Sequence, residues 1–334
     1  MPIQGYAAYA ARENLRPFSY EPDRLGPLEI AIRIRYCGIC HSDIHLIDDD
    51  WGWSRYPFIP GHEIIGEVTE VGALVDHLAV GDRVGVGWQA GSCMTCEWCT
   101  RGDTQLCARQ TATCVARNGG FADAVHVDSR FAFRIPEELD SARAAPLLCA
   151  GITVYSPLRE FRVAPSSKVG VAGIGGLGHL AIQFARAFGC EVTVISSNPD
   201  KEEESRRLGG HRFVHSGDRV GMARAAGSLD FLLVTAFGSV DWLQYLNLLR
   251  PRGTLCIVGA STSPLDIQPA LLVIQEKRIC GSVVGGPPAI REMLGFAARH
   301  GIEAAIELVP MAQVNAAVDK VRAGKARYRV VLEV

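Results

Sequence analysis

The stretch 36–45, Y-C-G-I-C-H-S-D-I-H, brings two thiols, two imidazoles, a hydroxyl and a carboxylate together. An ordinary turn has no structural use for so many ligands and proton carriers. Two other short stretches answer it, Pro60-Gly61-His62-Glu63 and Leu147-Leu148-Cys149-Ala150-Gly151. A catalytic zinc ion takes three protein ligands from His, Cys or carboxylate and keeps a fourth position for water or substrate. Cys40, His62 and Cys149 would supply that set. Two thiolates and a neutral imidazole cancel the charge of Zn2+, so the site polarises an alcohol or carbonyl oxygen without holding the product too tightly. Asp43 stands where a carboxylate can accept the other ring N–H of His62 and fix its tautomer; the alternative is a turn cap.

A second group, Cys93, Cys96, Cys99 and Cys107, is spaced C-x2-C-x2-C-x7-C. One loop can wrap a tetrahedral ion with four such thiolates, and no open position remains, so this zinc would be structural. With the first site it makes two zinc ions per chain. Four free surface thiols are the bland alternative. A nucleic-acid zinc ribbon is another, but among the intervening residues Met94, Thr95, Glu97, Trp98, Thr100, Arg101, Gly102 and Asp103 only Arg101 is a phosphate contact. The lobe at 91–110 therefore reads as a clamp for a loop with little core of its own.

Residues 169–178 run from an apolar strand pattern into G-x-G-G-x-G, at Gly173, Gly175, Gly176 and Gly178 with Leu177 between, and then into a helix pattern. Glycines there permit a tight turn and let backbone N–H groups approach a pyrophosphate. A carboxylate ending the following strand would hold ribose hydroxyls and repel a 2'-phosphate. This strand instead ends Ile195-Ser196-Ser197-Asn198-Pro199-Asp200-Lys201. Two hydroxyls, the cation of Lys201 and a helix opened by Pro199 favour NADP(H). Asp200, Glu202, Glu203 and Glu204 dilute that field unless they only pair with Arg206 and Arg207 one turn on.

These motifs need a scaffold. At 334 residues two domains are expected, and 48% apolar residues can fill both cores. Short β-branched runs cut by Gly and Pro at 29–35, 64–71, 83–86 and 121–127 indicate a small all-β or barrel-like unit. From residue 168 strands at 168–172, 191–196, 212–214, 231–235, 254–258 and 279–284 alternate with helices at 177–188, 199–208 and 240–249. That alternation indicates a doubly wound parallel α/β sheet. Helices at 290–300 and 314–323 and a strand at 328–333 follow. A net charge of −2 with scattered basic residues offers no footprint for nucleic acid or an acidic membrane. No signal peptide or membrane span is legible, so a cytoplasmic protein is expected. Eleven cysteines at short spacings then argue for metal rather than disulfides. Cys37, Cys114, Cys190, Cys256 and Cys280 read as core residues, and His179 as a helix-packing one.

In order along the chain stand C-G-I-C-H-S-D-I-H, P-G-H-E-I-I-G-E-V, G-D-R-V-G-V-G, the four-cysteine lobe, A-G-I-G-G-L-G-H-L-A-I-Q and R-Y-R-V-V-L-E-V. Together they resemble the zinc-dependent medium-chain alcohol dehydrogenases, most of all the cinnamyl-alcohol-dehydrogenase branch with its bacterial aldehyde reductases. The resemblance implies a GroES-like β-barrel catalytic domain at 1–150, a Rossmann coenzyme domain at 151–286, and a return to the catalytic domain at 287–334. It selects Cys40 over Cys37 as ligand and makes Glu63 an alternate zinc ligand, although alternation along a strand would point Glu63 away from the face used by His62. It gives Ser42 the substrate oxygen and His45 the proton exchange with solvent, through a ribose hydroxyl of the cofactor. Trp51 and Trp53 fall at the substrate pocket, suiting an aromatic or medium-chain aldehyde, unless they only anchor a loop. A homodimer covering the sheet edge near 279–284 is implied as well.

The function these readings support is zinc- and NADP(H)-dependent interconversion of primary alcohols and aldehydes. A zinc-free quinone-type reductase is the rival within the superfamily, disfavoured by the complete ligand set. A metal- or redox-sensing protein on the same scaffold is the rival outside enzymes. Gly210-His211 and the stretch 235–238 depart from the family's usual wording near the adenine and nicotinamide pockets.

Overall fold

The computed structural model describes residues 1–236, 238–259 and 264–334; Phe237, in the unusual 235–238 stretch, lies outside them. The chain divides into two compact units, Met1–Ile152 with Gly285–Val334, and Thr153–Val284.

The first unit is built on a seven-stranded sheet whose central strand is Glu29–Ile39. That strand pairs antiparallel with Glu63–Val71, with Ala124–Asp128 and with Arg329–Glu333. Its β-branched residues Ile30, Ile32 and Ile34 are fully buried among Ile47, Ile59, Ile64 and Phe121. Each such side chain contributes roughly 1.5–3 kcal/mol of hydrophobic stabilisation. Register shifts between Ala31 and Ile32, and between Ile34 and Tyr36, bend the strand. The register also juxtaposes chemistry: Gly38 lies opposite Glu63, and Val330 opposite Ile39. Cys40, His62 and Arg329 thus meet at one end of the same three strands although they are far apart in sequence.

The second unit is a six-stranded, wholly parallel sheet in the order Arg212–His215, Glu191–Ser196, Lys168–Ala172, Leu229–Val234, Leu249–Ile257 and Arg278–Gly281. The first strand in sequence is central, and the order reverses beside it, the arrangement of a doubly wound nucleotide-binding sheet. Val169, Val171, Val192, Val194, Leu232 and Leu233 are buried, consistent with helices covering both faces. Where a single helix over 199–208 is expected, Pro199–Lys201 is a 3-10 turn capped by the Asn198 side chain, and the α-helix covers only Glu202–Arg207. Asn198 competes for the first free N–H groups, which tightens the turn. The edge strand expected at 279–284 spans Arg278–Gly281. Among the described residues no helix is long and apolar enough to cross a membrane.

Candidate active site

Helix His41–Ile47 starts where the central strand ends, with Cys40 at its N-cap. Asp43, in its first turn, reaches back so that one oxygen accepts the Cys40 backbone N–H at 2.8 Å. The other oxygen accepts from Gly61 N at 3.0 Å and from Nδ1 of His62 at 2.9 Å. The two readings of Asp43, cap and histidine partner, are therefore both realised by one fully buried carboxylate. With Nδ1 engaged as donor, Nε2 of His62 keeps its lone pair for a metal. It lies 3.3 Å from Cys149 Sγ, which lies 3.9 Å from Cys40 Sγ. Cys149 is placed by the 3-10 turn Ala145–Leu148.

Glu63 joins this group: the ligand atoms of Cys40, His62, Glu63 and Cys149 all lie within 4.8 Å of one another, and all four residues are buried. The expectation that Glu63 points away from His62 fails for a local reason. His62 precedes the strand, which begins at Glu63, and Gly61 at φ 102° turns the chain just before it. The Glu63 carboxylate lies over Gly38; a Cβ there would come within 2.0 Å of its Oε2, so any side chain at this position would have to displace the carboxylate. One Glu63 oxygen accepts from the buried guanidinium of Arg329, while Oε2 has no hydrogen-bond partner.

The electrostatics suit a cation. The thiol of Cys149, donating to Cys40, holds the Cys40 thiol well below its ordinary range despite burial, with His62 and Arg329 helping. Cys149 is correspondingly raised by Cys40 and by burial. Burial pushes Glu63 up to about 7 against the opposing charge of Arg329. Two sulfurs, a ring nitrogen with a fixed tautomer and an orphaned carboxylate oxygen converge in a buried space, which is the donor set of an open zinc site.

Ser42 Oγ lies 3.7 Å from Cys40 Sγ, and His45 follows one turn along the same helix. Nδ1 of His45 is 2.7 Å from Asp50, which also faces Arg12 at 3.7 Å. The His45 ring centroid is 5.0 Å from that of Trp51. Trp51 stands edge-on to Trp88 at 6.3 Å, and Trp88 edge-on to His62 at 5.0 Å. Trp53, 54% exposed, touches this group through Trp51 at 5.1 Å. Arg329, Asp50 and Trp88 have no role in the sequence reading. Trp88 carried a signal in its place directly after G-D-R-V-G-V-G, and Arg329 in its place within R-Y-R-V-V-L-E-V. Cys114, read as core, is buried, but its sulfur lies within 4.8 Å of ligand atoms of Asp43 and His62.

The sulfurs of Cys93, Cys96, Cys99 and Cys107 also lie within 4.8 Å of one another. Helix Glu97–Arg101 and the 3-10 turn Thr104–Leu106 present them, and the backbone N–H of Arg109 donates to Cys107 Sγ at 3.3 Å. Four thiols without other partners of comparable strength fit one closed tetrahedral ion.

In the second unit the Gly-rich turn follows strand Lys168–Ala172 and leads into helix Gly178–Ala187. Gly173 adopts φ 97°, and a Cβ on Gly178 would come within 1.8 Å of the Gly173 carbonyl, while the space at Gly175 is open. Gly176 and Leu177 complete the turn, and buried His179 bonds the Gly175 carbonyl through Nδ1 at 3.0 Å. The cradle fits a pyrophosphate. Ser196 is buried, with Oγ 3.2 Å from Asn198 N, whereas Ser197 is exposed. Lys201 donates to the Ile174 carbonyl at 2.5 Å. Glu202 and Glu203 pair with Arg206 and Arg207 at 2.8 and 3.4 Å, so those carboxylates are partly answered within their own helix.

Residues 26–137 match the alcohol dehydrogenase GroES-like domain, and residues 176–299 the zinc-binding dehydrogenase family. An aldehyde reductase of Synechocystis is 44% identical over 99% of this chain and 98% of its own length. A cinnamyl alcohol dehydrogenase from Sorghum bicolor superposes with a TM-score of 0.96 at 40% identity, covering 100% of this chain and 98% of that one. The Helicobacter pylori cinnamyl alcohol dehydrogenase complexed with NADP(H) superposes with a TM-score of 0.90 at 33% identity, covering 100% and 99%. With matching identity, coverage and fold, the chain belongs to the zinc-dependent medium-chain alcohol dehydrogenases, in their cinnamyl-alcohol-dehydrogenase branch.

Proposed function

We propose that the protein is an NADPH-dependent aldehyde reductase, and in reverse a primary-alcohol dehydrogenase, acting on aromatic or medium-chain aldehydes. The observation that carries this is the convergence of Cys40, His62 and Cys149 beside an indole wall, with Asp43 fixing the histidine tautomer. Those three residues hold the catalytic zinc, with Glu63 in reserve, and Cys93, Cys96, Cys99 and Cys107 hold a structural one. When bound, zinc supplies a Lewis acid for the substrate oxygen and NADPH supplies the hydride.

The chain's own residues do the rest. Asp43 fixes the tautomer of His62 that leaves Nε2 to the metal. Ser42 handles the proton at the substrate oxygen, and His45, whose Nε2 is buried, passes it outward on its Nδ1 side, where the partly exposed Asp50 holds the ring. Trp51 and Trp88 exclude water and offer flat apolar walls to the substrate, with Trp53 at their outer side. Gly173, Gly175, Gly176, Leu177 and Gly178 receive the pyrophosphate; Ser196, Ser197 and Lys201 favour the 2'-phosphate over bare ribose. The exposed side chains Val273, Ile274 and Val283 near edge strand Arg278–Gly281 support a homodimer formed at that edge.

The test is NADPH oxidation across a panel of aromatic, medium-chain and short aldehydes. Turnover is expected with the first two classes, lost on chelation and restored by zinc. Turnover that survives complete removal of zinc would overturn the assignment.

A further inference from the structure

We propose that His215 is a further contact for the 2'-phosphate of the cofactor, one that takes up a proton when that phosphate binds; this rests on the NADPH reading above. Of the three residues expected to meet the phosphate, two are already engaged within the fold. Ser196 is buried, its Oγ bonded to the backbone of Asn198 at 3.2 and 3.3 Å. Lys201 donates to the Ile174 carbonyl in the Gly-rich turn. Ser197 is the exposed hydroxyl, and the side chain bonded to the Ser197 backbone carbonyl is His215.

The placement follows from the sheet. Ligands of open parallel sheets lie beyond the C-terminal ends of the strands. Ser196 ends strand Glu191–Ser196, His215 ends the next strand Arg212–His215, and the two are directly paired. The Ser216 backbone N–H donates to the Ser196 carbonyl at 2.9 Å, extending the pairing past the strand end. Nε2 of His215 lies 3.1 Å from the Ser197 carbonyl, so the ring donates there and is held at the mouth of the ribose turn.

That hydrogen bond fixes the chemistry. With its N–H on Nε2, a neutral imidazole has only a lone pair at Nδ1, which a phosphate oxygen avoids. A proton taken from solvent gives Nδ1 an N–H and the ring a full charge, both of which a 2'-phosphate dianion rewards. The charged residues on the elements that adjoin His215 are Asp200 and Lys201 on the 3-10 turn, Asp218 and Arg219 after the strand, and Arg212 at its start. Arg212 pairs with Glu191 at 2.8 Å, and Asp218 accepts the Val220 backbone N–H at 3.0 Å. Among the described residues no carboxylate forms an ion pair with His215, leaving the phosphate as its natural counter-charge.

The probes are adenosine 2',5'-bisphosphate and 5'-AMP, titrated calorimetrically into the full-length protein at pH 6.5 and 8.5 in buffers of different ionisation heat. Wild type, His215→Val and His215→Lys are compared. Wild type is expected to prefer the bisphosphate and to take up a proton on binding it. His215→Val should bind it roughly tenfold more weakly at pH 6.5, as for one charge-assisted hydrogen bond, and lose that uptake, with 5'-AMP unchanged. His215→Lys should keep tight binding at both pH values without the uptake. If wild type prefers the bisphosphate and His215→Val binds it equally well, or loses 5'-AMP in parallel, the contact is refuted and the NADPH reading stands. If wild type binds both probes alike, the NADPH reading falls and the contact with it.

Discussion

Arg329 and Glu63, 266 positions apart in the chain, form an ion pair in which both side chains are buried, 5% and 0% exposed. The pair lies directly against the proposed zinc ligands, since the carboxylate is one of the converging group and the guanidinium favours the Cys40 thiolate. Burying two charges gains little by itself, but removing one partner strands the other.

Arg329→Met is therefore expected to destabilise the first unit by about 3–5 kcal/mol, with most of the loss recovered in Glu63→Gln/Arg329→Met. Trp51, Trp53, Trp88 and Trp98 all lie in that unit, so denaturation followed by tryptophan fluorescence reads it preferentially. A single variant as stable as wild type would contradict the pairing.

Asp43→Asn keeps the shape but can present an N–H to Nδ1 of His62, disturbing the tautomer that leaves Nε2 for metal. Catalytic zinc should be lost to a chelator at roughly 10–100-fold lower concentration, and activity should fall with it. The structural zinc should be unaffected, which separates this effect from general unfolding.

Metal analysis should find two zinc ions per chain. Cys40→Ser is expected to lose one with the fold retained, because its ligand set is open and supported by the sheet. Cys99→Ser should lose stability first, because the lobe has little core apart from its metal. Freshly purified protein without zinc would end the mechanism.

NADPH should be preferred over NADH, and Ser196→Asp should shift that preference toward NADH by roughly 1–3 kcal/mol. The new carboxylate repels a 2'-phosphate and offers the ribose hydroxyls an acceptor. Lys201→Ala should weaken NADPH more than NADH. Comparison of kcat/KM for both cofactors on one aldehyde decides it; equal use of both by wild type would refute the reading.

Light scattering at micromolar concentration should give the mass of a dimer, and Ile274→Lys, which puts a charge on the exposed apolar edge, should shift it toward monomer. Monomeric wild type would rule the dimer out.

The sequence reading succeeded where the chemistry is local. The Gly-rich turn is announced by glycines that the turn itself needs, and the β-branched runs on either side of it form buried strands because nothing else could cover them. The candidate ligands and their helix lie within one decapeptide, although choosing Cys40 over Cys37 needed the family resemblance. Arg329, Asp50 and Trp88 were not legible for the opposite reason. Arg329 meets Glu63 only through the pairing of Arg329–Glu333 with the central strand, and a lone arginine in an apolar strand has no pattern of its own. For Glu63 strand alternation misled because it was carried past the start of the strand, across Gly61; the resemblance had put the residue beside the ligands, where the structure has it. Lys201 was placed correctly along the chain, but its hydrogen bond to Ile174 depends on how the turn packs against the Gly-rich loop.

The first unit is assembled from two separated stretches of chain, with the second unit inserted between them. On the ribosome, Cys40, His62 and Cys149 are all made before the nucleotide-binding unit, but Arg329 is made after it. Until then the carboxylate of Glu63 faces the thiols without its counter-charge, and the central strand lacks one of its three neighbours. Maturation of the proposed metal pocket is thus deferred until after the nucleotide-binding unit has emerged. A nascent chain stalled before residue 329 would carry the three ligands and still hold zinc poorly.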